Sequence, residues 1–361
     1  MAELAARCAG GHAVAVNVSV FRCDALILSP GGVRVVQLPG LTSEEAESRA
    51  ATFSADMAKS WWQPGPEAGR VRETLRWLWE AVCAPVLDAI GATATPANGE
   101  PWPQVWWVPT GPLAFLPLHA AGRYPDGDPA DTDTVLDRVV SSYLPTIRSL
   151  PTAATGAVPV EDAGPAAALV IAMPETPGLV DLDVAGEARH VAGCLPGTKV
   201  LTGAEATHDS VRVALSRFPW VHFACHAVGA ARDGAGARLL LYDHEERPLT
   251  VREIAVLRLP RAQLAYLSAC ESAYGPAGLA DEAVHLAGTF HLAGYEHVIG
   301  TLWPAADHVA AEIAVAVYER ITTPVPDVAK AALALHDAVR RARDRNRDLP
   351  VLWAAHIHVG R

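Results

Sequence analysis

The chain has 361 residues, half of them hydrophobic and 19% charged, and 29 Lys and Arg against 40 Asp and Glu give a net charge of −11. That length suits one large or two ordinary domains with a sizeable core, and the acidity argues against general binding to a phosphate backbone. No apolar run approaches the ~18 residues of a membrane span, and Met1-Ala2-Glu3-Leu4-Ala5-Ala6-Arg7 lacks the basic-then-apolar pattern of a signal peptide.

The six cysteines (8, 23, 83, 194, 225 and 270) are scattered without close pairs, which fits a reducing cytoplasm. Residues 2–8 read as the end of a helix without a start, as expected of a piece of a longer protein. Apolar runs at 13–20 and 25–28, a turn at Pro30-Gly31-Gly32 and a further run at 33–38 predict an antiparallel beginning. Thr42-Ser43-Glu44-Glu45 reads as a helix start, with capping side chains followed by acids at the positive end of the dipole. Val71, Leu75, Leu78, Val82, Val86 and Ile90 recur at helical spacing, and Gly91 is a natural stop. Val105-Trp106-Trp107-Val108 reads as a short buried strand.

Residues 149–166 are rich in Pro, Ala and Gly and poor in charge, and mark the expected boundary between a first lobe, 1–150, and a second, 160–361. Beyond it, strands and helices alternate. Strands are expected at 168–172, 198–201, 220–225, 263–269 and 296–301. Helices are expected at 184–194, 207–217, 250–257, 280–294 and 306–322, and a last amphipathic helix at 326–344 runs into Arg340, Arg341, Arg343, Arg345 and Arg347. Alternation of this kind predicts a parallel sheet covered on both faces.

Two strand-length runs stop at reactive side chains: Val221-His222-Phe223-Ala224-Cys225-His226 and Leu264-Ala265-Tyr266-Leu267-Ser268-Ala269-Cys270. The carboxyl ends of neighbouring parallel strands line one crevice, so His226 and Cys270 would face each other across it. A cysteine nucleophile needs such a neighbour, because only the thiolate attacks well. Strand alternation would put His222 and Ala224 on the face of His226 and Cys225 on the other, so Cys225 reads as core. The competing reading of Cys270 is a buried structural cysteine, the usual fate of a free thiol.

These segments resemble a known family. Phe223-Ala224-Cys225-His226 and Leu267-Ser268-Ala269-Cys270-Glu271-Ser272 are similar to the two catalytic motifs of the CHAT domain, a caspase-like (clan CD) cysteine peptidase related to separase. Trp106 to Leu113, Leu116 to Gly122, Tyr143 to Leu150 and Gly294 to Pro304 resemble further landmarks of that family, in family order over roughly residues 100–310.

The resemblance implies an α/β fold with a caspase-like parallel-core sheet flanked by helices, and an N-terminal supporting, pseudo-caspase-like lobe. It implies a cysteine endopeptidase with catalytic His226 and Cys270, and an oxyanion hole built from backbone N–H groups at Ala227 and Cys270. The family usually has Gly where this chain has Ala227, and Ala does not adopt positive φ cheaply. Asp307 falls where relatives place an acid for a basic P1 side chain; it also reads as the first acid of the next helix. Asp281 and Glu282 are expected on the rim of the site, or as ordinary first-turn acids. The resemblance further implies a protein substrate, a regulatory or repeat-containing region or partner outside this chain, and a bacterial-type signalling or defence setting. No cofactor, metal, nucleic acid or membrane is expected. A catalytically inactive pseudo-peptidase serving as an interaction module is the alternative.

Other chemistries fit poorly. No Gly-x-Ser-x-Gly elbow, Cys-x-x-Cys or His-Glu-x-x-His occurs, and His356-Ile357-His358 reads as strand histidines. The acids Asp126, Asp128, Asp131 and Asp133 lack the spacing and Gly of a calcium loop. Gly193 to Lys199 misses the P-loop spacing, and Gly234-Ala235-Gly236 lacks a third Gly.

Overall fold

The structure, a computed structural model, describes residues 2–57, 66–125, 132–150, 167–228, 237–268 and 286–361. The described chain forms two units, each with its own strands and helices. The first takes described residues up to 150 together with 339–355; the second takes the remainder.

In the first unit α1 (Ala2–Ala6) precedes β1 (Gly11–Asn17), β2 (Asp24–Ser29) and β3 (Gly32–Gln37), which pair antiparallel. Gly32 turns the hairpin at φ 120°, a conformation that only glycine adopts easily. β1 also pairs in parallel with β4 (Gln104–Pro109). The two-strand ribbon β5 (Gly122–Arg123) and β6 (Asp133–Thr134) follows, and β7 (Val140–Tyr143) pairs in parallel with β4. Trp107, at the middle of β4, is fully buried.

The helices α2 (Ser43–Met57), α3 (Pro66–Leu78) and α4 (Ala84–Ile90) cover the expected segments. Instead of one continuous helix over 70–90, a π-helical turn, Trp79–Cys83, separates α3 from α4. Pro85 is the reason: it has no N–H to give and its ring clashes with the carbonyl of residue 81, which the wider turn moves aside. Gly91 then ends α4 in the left-handed conformation, φ 78°.

The second unit opens with β8 (Ala168–Ala172), α5 (Ala185–Cys194), β9 (Lys199–Thr202), α6 (His208–Leu215) and β10 (Trp220–Ala224). There follow β11 (His226–Val228), β12 (Arg238–Leu240), β13 (Leu249–Thr250), α7 (Val251–Val256), β14 (Leu264–Leu267), α8 (Leu286–Ala293), β15 (His297–Thr301) and α9 (Asp307–Thr322). Helix α10 (Ala331–Arg345) and the short α11 (Pro350–Trp353), of which residues 339–355 belong to the first unit, precede β16 (His356–Gly360). Within this unit the strand order is β9-β8-β10-β14-β15-β16, parallel except for β16, which runs antiparallel along β15.

Every residue of β8, β10, β14 and β15 is buried. Continuous apolar runs, rather than alternating ones, are what a parallel sheet covered on both faces requires. Phe223 of β10 packs edge-to-face on Phe290 of α8, with ring centroids 5.5 Å apart. Capping boxes start two of the helices: Thr207 with Ser210 on α6, and Thr250 with Glu253 on α7. Such caps contribute ~1 kcal/mol each. The fold is a mixed α/β one, with a mostly parallel sheet flanked by helices.

One local expectation needs correction. The run from Val221 does not carry His226 on the same strand: β10 ends at Ala224, the chain bends at Cys225, and His226 opens β11 in a separate antiparallel sheet with β12 and β13. The alternation that put His222 and His226 on one face therefore does not apply. Cys225 is fully buried at the bend, as its place in the sequence suggested.

Candidate active site

The carboxyl ends of β10 and β14 set the site in the second unit. Their parallel register pairs His222 with Tyr266 and Phe223 with Leu267, and the Ser268 N–H donates to the Phe223 carbonyl at 2.8 Å. Ala224 and Ser268 are thus level. His226 follows Ala224 by two residues, and Cys270 follows Ser268 by two. Cys270, Glu271, Ser272, Asp281 and Glu282 lie outside the described residues, as do Asp126, Asp128 and Asp131.

His226 is half-buried at the start of β11. Its Nε2 lies 2.9 Å from the carbonyl oxygen of Val180. A carbonyl only accepts, so Nε2 carries the hydrogen, and a neutral ring keeps its lone pair on Nδ1. The contact orients the ring and selects a tautomer that can take up a proton. Ala227, next in β11, is buried in extended backbone, a conformation open to any residue. His244 holds the same connecting segment from another side, with Nε2 2.9 Å from the Pro177 carbonyl.

Beside these strand ends is a pocket with Asp183, Glu187, Ser268, Thr301 and Asp307 in its wall, closed by Leu182, Val184, Ala305 and Ala310. Asp307 is the first residue of α9 and is exposed, as is Asp183; Glu187 and Thr301 are buried. Three carboxyl-bearing residues line it, and no basic side chain does so among the described residues. One segment serves both features: Val180 meets His226, and Leu182 to Val184 line the pocket.

Glu187 joins the strand ends from below. Its Oε2 accepts from Ser268 Oγ at 3.1 Å, and its Oε1 lies 3.2 Å from His222 Nε2, off the line that a hydrogen bond needs. His222 is not a partner of His226: it is wholly buried, stacked on Tyr266 at 5.1 Å and edge-on to Tyr318 at 5.5 Å. Burial, then the nearby Glu187 carboxyl, pushes both tyrosine hydroxyls well above their usual range.

Sequence reasoning did not single out Val180, Asp183, Glu187 or Ser268. Val180 acts through its backbone and left no side-chain signal. Glu187 did leave one: it lies three residues after Val184 and four before Val191, on the apolar face of a predicted helix, where an acid is out of place. Among the described residues no group of three or more His, Cys, Asp or Glu side chains is arranged to hold a metal ion, and no helix is long and apolar enough to cross a membrane.

The fold is that of a caspase-like α/β protein, with a large, mostly parallel sheet flanked by helices. The CHAT domain family model matches residues 72–361, so the chain belongs to the CHAT domain family. The match reaches further in both directions than the landmarks read from the sequence. Two structures of the Saccharomyces cerevisiae separase–securin complex, at 3.0 and 2.6 Å, are similar to it with TM-scores of 0.64 and 0.63. Each covers 99% of this chain at 10% identity, and this chain spans 30% of the separase chain. The Arg-specific cysteine proteinase gingipain R aligns with a TM-score of 0.47 at 10% identity, over 81% of this chain and 67% of its own. At such identities the likeness concerns the fold alone. No curated protein matches the chain by sequence.

Proposed function

We propose that the chain is a cysteine endopeptidase acting on a protein substrate. The observation that carries this reading is His226, two residues past the end of β10, its Nε2 engaged by the Val180 carbonyl and its Nδ1 left as base, while β10 pairs with β14, the strand that Cys270 follows in the sequence. Cys270 Sγ gives its proton to His226 and attacks the scissile carbonyl. The tetrahedral intermediate collapses to a thioester as His226 protonates the departing amine. Water, deprotonated by the same ring, then hydrolyses the thioester and restores the thiol. Backbone N–H groups at Ala227 and Cys270 stabilise the oxyanion; loss of one such donor typically costs about 10²–10³ in rate.

The acidic pocket sets specificity. Asp307, with Asp183 beside it, favours Arg or Lys at P1, and Arg gains from bidentate geometry. The family resemblance makes Asp281 and Glu282 further candidates for contact with substrate. Control comes from a partner protein or from a region outside this chain; the similar separase was crystallised with a protein partner, securin, and is several times longer.

The test is a covalent cysteine probe combined with a peptide library. Cys270 labels in the native chain, and labelling falls by at least about 10²-fold in His226→Ala, in line with the usual worth of a positioned acid–base group. The library yields basic P1 residues, and Asp307→Asn loses that preference while Cys270 still labels. Labelling that ignores His226, with no library cleavage, would instead identify an inactive interaction module. Apolar or acidic P1 residues would remove Asp307 from any role in specificity.

A further inference from the structure

The buried acid under the strand ends has no part in the chemistry above, yet the fold devotes three elements to it. Glu187 is 4% exposed, on α5, and reaches β14 through Ser268 and β10 through His222. Burying a carboxyl group is costly unless partners compensate it. A helix that needed only to cover the sheet would carry an apolar residue at this position. We propose that Glu187 is a positioning residue of the peptidase site: it fixes Ser268, and through Ser268 the start of the segment that carries Cys270. The inference rests on the peptidase reading and assigns that site a support.

The geometry favours this over simple packing. Ser268 is the last described residue before Cys270, and two bonds of different origin hold it. Its backbone N–H is tied to β10 at 2.8 Å and its hydroxyl donates to Glu187 at 3.1 Å. The backbone bond sets the height of the strand end; the side-chain bond sets its rotation about the strand axis. Cys270 follows two residues later in the sequence. Misplacement of a reacting group by about 1 Å can cost on the order of 10²-fold in rate. The groups around Glu187 come from several elements. His222 comes from β10, Tyr266 from β14 and Tyr318 from α9; His356 of β16 lies within electrostatic reach, and Asp183 and Asp307 share the pocket wall.

The experiment measures alkylation of Cys270 by iodoacetamide as a function of pH, with the melting temperature alongside. It compares the wild type with His226→Ala, Ser268→Ala, Ser268→Thr and Glu187→Gln. The first comparison tests the dyad: wild-type alkylation exceeds that of His226→Ala. Ser268→Ala then lowers the rate toward the His226→Ala level, by on the order of 10²-fold, with the melting transition retained. Ser268→Thr keeps the hydroxyl and restores most of the rate. Glu187→Gln, of the same shape, keeps an oxygen for Ser268 and falls between them, with a changed pH–rate profile. If the wild type depends on His226 while Ser268→Ala and Glu187→Gln alkylate at the wild-type rate, Glu187 is structural only and the proposal is overturned, the peptidase reading standing. If the wild type shows no dependence on His226, the peptidase reading fails first and leaves Glu187 nothing to position.

Discussion

His222 and His226 lie four positions apart, and the fold gives them opposite surroundings. His222 is enclosed between Tyr266 and Tyr318, whereas His226 is half-buried with one nitrogen on a backbone carbonyl. The two should separate cleanly by mutation. His222→Ala removes a buried ring and leaves a cavity, and large-to-small core changes of this kind cost on the order of 2–5 kcal/mol. His226→Ala should cost under about 1 kcal/mol, because a strand-end side chain gives up little packing. Cys225→Ala, wholly buried, should cost roughly 1 kcal/mol and spare activity. Urea denaturation of the three variants, with Cys270 labelling, checks the ordering. A His222→Ala protein as stable as wild type would contradict the packing described. At this scale Cys225 was legible as core, but the bend that carries His226 onto β11 was not, because the strand-length run from Val221 reads straight through it. Glu187 was not read, since its meaning depends on Ser268 and His222, 81 and 35 positions away.

The elements with the plainest sequence signal are those buried on both faces. The runs 168–172, 220–224 and 297–301 are mostly apolar, are buried throughout, and each became a central strand. β11, β12 and β13 were not read, because two or three residues of pairing leave no periodicity to detect. β16 is a different case: His356 and His358 sit on a strand as expected, but wholly inside. His358 Nε2 is 3.0 Å from His297 Nδ1 on β15, where one ring must donate to the other. Burial, reinforced by the Arg361 charge, lowers His297 to about 4. Burial, opposed by Glu187, lowers His356 to about 4. Burial and then His297 carry His358 well below its ordinary value. These folded values lie beneath the unfolded value near 6.5, so as pH falls the unfolded chain takes up protons first. Stability from the three rings is complete above about pH 6.5 and declines as pH falls toward 4. The urea midpoint should therefore be lower at pH 5 than at pH 7, and His356→Asn, though less stable, should show a smaller drop. A midpoint independent of pH over that interval would refute burial of these rings in neutral form.

Across the whole chain, the arginine run at the end of α10 shows why long-range assembly resists reading. Arg340, Arg341, Arg343, Arg345 and Arg347 look alike in sequence, yet Arg343 is 4% exposed while Arg341 and Arg345 face solvent. Arg343 Nη2 bonds Asp137 Oδ1 at 2.8 Å, and its Nη1 reaches Thr134 Oγ1 at 2.8 Å. These contacts, across 206 and 209 positions, tie residues 339–355 into the first unit. No local pattern marks which arginine of such a run turns inward. Asp137 also closes the capping box with Thr134. Burial works to raise its pKa, but Arg343 and Thr134 outweigh it and hold the carboxyl below the usual range. A folded value below the unfolded one contributes stability that is present above the ordinary carboxylate range and lost as pH falls through the folded value. Removing one partner should therefore be costly: Arg343→Met leaves the partly buried Asp137 carboxylate with Thr134 and the longer Arg340 contact at 3.5 Å, and should destabilise by about 3 kcal/mol, the low end for a broken buried pair. The double variant Arg343→Met with Asp137→Leu removes both charges. It should recover much of that loss, because exchanging a buried pair for apolar residues is often near neutral. The recovery should stop short of complete, since Asp137→Leu also opens the capping box on Thr134. Denaturation of the two single variants and the double, read as a cycle, gives the coupling directly. Additive losses would mean that the pair does not hold the C-terminal residues in place. A single variant within 0.5 kcal/mol of wild type, the ordinary range for surface changes of about ±0.5 kcal/mol, would mean that Arg343 is not buried against Asp137.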